Sequence, residues 1–89
     1  MSPLERELST ILWELWDPIR VRSMGAPPDE YDSYIPGVIR TFQRDPSSTR
    51  LHAHLEQLER VNMGLQPLSR EQREPAVAAL LKALARVER

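Results

Sequence analysis

The 89-residue chain has no cysteine, which excludes a disulfide framework, a thiolate metal site and a cysteine nucleophile together. Glycine is nearly as scarce. Three residues of it leave no material for a phosphate-cradling loop, and no serine stands in a Gly-x-Ser-x-Gly elbow. No stretch approaches the roughly 20 apolar residues of a membrane span, so no membrane association is expected. The first residues, Met1-Ser2-Pro3-Leu4-Glu5-Arg6-Glu7, place acids where a secretory signal carries positive charge. The expected location is the cytoplasm.

Charge of either sign is not in excess: 13 acids face 12 bases, a net of −1. A duplex-binding protein needs an overall positive field, so a nucleic-acid partner is not expected. The distribution is uneven, however. Residues 1–34 hold seven acids and three bases (net −4), and residues 35–89 hold six acids and nine bases (net +3). The length supports one domain, 1–89, and so small a core leaves self-association open as a further source of stability.

What is abundant is helical periodicity. Ser2, Pro3 and Glu5 form a capping-box start, and Leu4, Leu8, Ile11, Leu12 and Leu15 follow as one apolar stripe. Pro18 ends this first helix. Pro18, Gly25, Pro27 and Pro28 then mark an aperiodic, proline-rich loop, with Ile19-Arg20-Val21 a candidate to pack beneath it. A second stripe runs through Tyr31, Ile35, Val38, Ile39 and Phe42, with Tyr34 on its flank. Pro36 within it means either a kink or a short turn before a helix beginning near Pro36.

Asp45 and Pro46 read as the cap and first residue of a third helix that carries Leu51, Leu55, Leu58 and Val61 inward. Gly64 supplies its left-handed stop, closed by Leu65. Ser69 and Gln72 form a second capping box, ahead of Val77, Leu80, Leu81, Leu84 and Val87 on one face; Pro75 marks a kink or a later start. Four such amphipathic helices bury their stripes only against one another. The expected fold is all-α, compact and single-domain, with a proline-rich loop after the first helix.

Chemistry-bearing constellations are sparse. His52 and His54 are two apart on a helix, so their side chains diverge by about 200° and cannot share a metal. His54 lies between Leu51 and Leu58 at the edge of the apolar stripe and reads as a partly buried helix residue. No catalytic, cofactor-binding or metal-binding residue emerges, and no cofactor or enzymatic activity is expected. Lys82, Arg86 and Arg89 form a basic stripe that complements the end of the last helix, with Arg70 and Arg73 near its other end.

Two segments stand out. Asp29-Glu30-Tyr31-Asp32-Ser33-Tyr34 sets three carboxylates and two phenols in six residues. Its acids suit a helix start, contact with a partner, or weak binding of a hard cation by Asp29 and Asp32 as exposed neighbours, although a cation site normally needs more oxygens. Trp13-Glu14-Leu15-Trp16-Asp17 places two tryptophans three apart beside the leucine stripe, half covered, in a core role or as interface anchors. The expected partner-binding residues are Trp13, Trp16, Asp17, Asp29, Glu30, Asp32 and Tyr34.

Together, Trp16-Asp17-Pro18-Ile19 and Asp29-Glu30-Tyr31-Asp32-Ser33-Tyr34-Ile35-Pro36 resemble the paired motifs of a family of small bacterial helical domains of unknown function. Met63-Gly64-Leu65 fits the turn between that family's last two helices, whereas Arg20 stands where its members more often carry Gly. Some similar proteins look like immunity partners of bacterial toxins. The resemblance implies a non-enzymatic interaction domain with a protein partner, which an acidic N-terminal part suits if that partner is basic. A structural or self-assembling domain is the alternative.

Overall fold

The Ser2 hydroxyl accepts from the Glu5 N–H at 3.2 Å, and the Glu5 carboxylate accepts from the Ser2 N–H at 3.0 Å. Two of the helix's orphan donors are thereby satisfied reciprocally. Helix α1, Pro3–Ile11, follows from this cap in a computed structural model that describes residues 2–17, 25, 29, 31–64 and 66–87. The others, including most of the loop expected from Pro18, Glu30, Leu65 and Arg89, lie outside the described residues, as does the Val87 side chain.

Helix α1 does not end as a regular helix. Residues Leu12–Trp16 form a π-helical turn, closed by the Asp17 N–H to Leu12 carbonyl bond at 2.9 Å. Reaching back five residues rather than four makes each residue advance by a smaller angle, so a residue four places on stays above the same face. Leu8, Leu12 and Trp16 are therefore the inward series. This corrects two expectations: Leu15 turns out to solvent at 45% exposure, and Trp16, expected to be half covered, is 4% exposed. Asp17 then leaves the helix in the left-handed region (φ 31°), where Asp is better tolerated than most residues.

The second stripe begins with a 3₁₀ turn, Asp32–Tyr34, and α2 spans Ile35–Arg44 with Pro36 in its first turn. Of the two arrangements that Pro36 allows, the structure has the late start, where proline's missing N–H would have no helical acceptor. Helix α3, Ser48–Gln57, is capped by Ser47, whose hydroxyl accepts from the Arg50 N–H at 3.2 Å, and not by Asp45. Asp45 is already engaged in closing α2: its N–H bonds the Thr41 carbonyl at 3.1 Å and its carbonyl receives the Ser47 N–H at 2.8 Å.

A second π turn, Leu58–Asn62, ends α3 as the first ends α1. It shifts the inward series to Leu51, Leu55 and Glu59. Val61, expected inside, is 68% exposed, and Glu59 is fully buried. Gly64 provides the expected left-handed stop at φ 66°. The Ser69–Gln72 capping box forms with bonds of 2.9 and 3.1 Å, and α4, Arg70–Val87, runs on through Pro75. Its buried face comprises Arg73, Ala76, Val77, Leu80, Ala83 and Leu84.

Four helices and no strand are present among the described residues, an all-α single small domain. None of the helices is long and apolar enough to cross a membrane. Helix α4 packs against both α1 and α3, and α2 lies chiefly on α3. Arg86 near the end of α4 pairs with Glu7 of α1, while Arg73 near its start meets the network reached by Trp16 at the end of α1, so these two helices run antiparallel. Helix α3 packs across α4, where His52 and Glu59, seven residues apart, bond to the adjacent Glu74 and Arg73.

The crossing is fixed by a buried ion pair. One Glu59 carboxylate oxygen accepts from Trp16 Nε1 at 2.8 Å and Arg73 Nε at 3.0 Å; the other accepts from the Leu68 N–H at 2.9 Å and Arg73 Nη2 at 3.2 Å. Arg73 Nη2 also donates to the Leu68 carbonyl at 2.6 Å. Each carboxylate oxygen thus holds two donors, the condition for a tolerable buried charge. Arg73→Leu alone strands the Glu59 charge and is expected to cost about 3–5 kcal/mol. Urea unfolding checks this: the double variant Glu59→Leu/Arg73→Leu should be more stable than Arg73→Leu by itself.

Candidate interaction surface

The exit of α1 gathers the aromatic residues. Trp16 and Tyr31 rings lie 5.4 Å apart, Trp16 and Tyr34 meet edge to face at 6.1 Å, and Trp13 leans on Tyr31 at 6.3 Å. Such tilted and T-shaped pairs contribute beyond their buried area because a positive ring edge meets a negative face. Tyr31 and Trp16 are buried inside the cluster, leaving Trp13 and Tyr34 half-buried at its rim.

Carboxylates fasten this cluster. The Tyr31 hydroxyl donates to Asp17 Oδ1 at 2.6 Å, drawing the left-handed residue after the π turn onto the second motif. The Ser9 hydroxyl donates to Asp32 Oδ1 at 2.5 Å, joining α1 to the 3₁₀ turn. Asp32 is consequently half-buried and engaged, and the expected pair of exposed neighbouring carboxylates is not formed: only Asp29 is exposed. The backbone explains the difference, since Asp29 accepts the Asp32 N–H at 3.1 Å as a turn rather than as part of a regular helix.

Of the seven residues read as partner-binding, Trp13, Asp17, Asp32 and Tyr34 are therefore brought to one rim with Asp29 beside the turn, Trp16 supports them from inside, and Glu30 lies outside the described residues. Spacing alone did not disclose the Ser9–Asp32 link, because a serine on a helix face has no distinctive pattern. Trp16's inward place had a signal in the strict i, i+4, i+8 run Leu8, Leu12, Trp16.

The histidines serve separate contacts. His52 is buried, with Nε2 2.7 Å from Glu74 of α4, whereas His54 lies over Gly37 of α2, where an added Cβ would sit 3.1 Å from its Nε2. That Nε2 is buried and has no hydrogen-bond partner among the described residues. Burial, and secondarily the Arg40 charge, lower the His54 pKa from the ordinary 6.5.

These features define a small helical domain with an aromatic, carboxylate-tethered face, and among the described residues no three His, Asp or Glu side chains are grouped to hold a metal ion. No family model matches the chain, and neither a curated protein nor a solved structure does.

Two measurements probe these links. Asp32→Lys removes a half-buried charged acceptor and should cost about 1–3 kcal/mol in denaturant unfolding, with Ser9→Ala showing coupling to it, while Asp29→Lys stays within about 0.5 kcal/mol. For His54, the unfolded chain binds more protons than the fold as pH falls below 6.5. The stability it protects is complete above that value and is lost as pH falls through its lowered folded pKa. From about pH 7.5 to about pH 5.5 the wild type should lose more stability than His54→Leu, by urea unfolding at each pH.

Proposed function

We propose that this chain is a non-enzymatic cytoplasmic protein-interaction domain that receives a basic protein surface on the acidic, aromatic-edged rim at the exit of α1. The observation that carries the reading is the tethering of the aromatic cluster by Asp17 and Asp32. These bonds hold Trp13 and Tyr34 at the rim before any partner arrives, which reduces the ordering cost of association. Half-covered aromatics flanked by carboxylates combine an apolar anchor with charge that steers a basic partner. The resemblance to small bacterial domains, some similar to toxin-immunity partners, supports an immunity-type or antitoxin-like role.

A self-assembling structural domain is the second reading. Leu15 and Val61, exposed by the two π turns, lie within two residues of the Trp16–Glu59 bond and so at one end of the molecule. Affinity capture from source cells separates the readings. Asp29→Lys should abolish capture of a basic protein, most strongly at low salt, while Glu71→Lys, an exposed acid on α4, leaves it intact. Capture unaffected by Asp29→Lys, together with a dimer in sedimentation that Val61→Asp dissociates, would establish the second reading instead.

A further inference from the structure

At the far end of α2 from Tyr34, the last turn of α2 and one face of α3 flank an open groove of about 560 Å³. Thr41 and Arg44 line it from α2, Asp45 from the connection, and Arg50, His54 and Gln57 from α3, where these last three share a face at i, i+4 and i+7. The connection at residues 45–47 joins the two helices at one end and fixes the separation of the walls. The volume falls within the roughly 300–1,000 Å³ of small-molecule sites.

The charges in this groove are incompletely matched. Arg44 has no hydrogen-bond or ion-pair partner among the described residues. Arg50 meets only Asp45, at 3.5 Å with both side chains mostly exposed, an arrangement that contributes little. Arg44 also answers the negative end of α2, but that role requires neither a hollow beside it nor a second guanidinium from another helix. Two guanidinium groups reaching one hollow from different helices suit a tetrahedral dianion, whose several terminal oxygens accept from two forks, better than a single carboxylate. Gln57 adds amide donors on the same wall.

We infer that the groove between α2 and α3 binds inorganic phosphate or a small phosphomonoester, held between Arg44 and Arg50. Asp45 competes with the anion for Arg50 and weakens the site. His54 contributes a wall in its neutral form, and a bound dianion, by offsetting the charge of Arg40, raises its proton affinity.

The test is a nuclear magnetic resonance titration of the whole chain with inorganic phosphate and with glycerol 3-phosphate, against sodium chloride at equal ionic strength. Both phosphates should shift the Arg44, Arg50 and His54 signals saturably, and the His54 pKa should rise on binding. Arg44→Gln and Arg50→Gln, each verified as folded by thermal melting, should weaken binding at least about tenfold. Asp45→Asn should strengthen it. Shifts equal to those in sodium chloride, or binding indifferent to both arginine variants, overturn the proposal. So does a short oligonucleotide that shifts these signals when neither phosphate compound does.

Discussion

The Glu59 carboxylate is the group on which the arrangement of the helices depends. It is fully buried, and it receives donors from the end of α1, from the segment before α4 and from α4 itself. A charge removed from water in an 89-residue domain is costly, and it is tolerable only where every partner is in place. The native crossing of α3 over α4 supplies them all. A slid or rotated packing would leave Glu59 unpaired, whereas an apolar residue there would accept many packings of similar energy. The ion pair thus penalises alternative packings of these helices.

Two of the three helices that meet in this network, α1 and α3, reach it through π turns, and at these turns the structure departs from a regular helical period. The four apolar stripes, both capping boxes and the Gly64 stop were legible because each repeats a regular helical rule. A π turn has no comparable pattern, so a 3.6-residue period carried through it points to the wrong residue by one or two positions. That period places Leu15 and Val61 inside, whereas Trp16 and Glu59 occupy the core. Arg73 was hidden for a different reason. It lies four residues before Val77, on the apolar face, but a basic side chain near other basic residues reads as solvated surface until its buried partner is known.

The candidate surface is continuous with this core. Trp16 donates to Glu59 through its indole nitrogen and supports Tyr31 and Tyr34 with its ring. Tyr31 in turn orients Asp17, and Asp32 is drawn to Ser9. The composition of the acidic segment was visible in sequence, but its division of labour was not. Two of its carboxyl-bearing neighbours in space are structural acceptors as well as surface charge, so a substitution at either changes fold and surface together. Asp29 is the position where the two effects separate, because it is exposed and joins the turn through its backbone.

Helix α2 carries the acidic rim near its first residue and the arginine-lined groove near its last, over ten residues and so about 15 Å. The helix macrodipole favours that order of signs, and on charge alone both ends need no further role. Geometry adds what the dipole does not require. At the first end, two side-chain hydrogen bonds from α1 and Tyr31 hold carboxylates against aromatic rings; at the last, guanidinium groups from separate helices line a shared hollow. The two ends also rest on different supports. The rim depends on Trp16 and through it on Glu59, while the groove walls are set by the short α2–α3 connection and by the contact of His54 with Gly37. A perturbation of the buried ion pair therefore reaches the rim first, and substitutions at the two ends should act additively because the side-chain bonds at the two ends have no residue in common among the described residues.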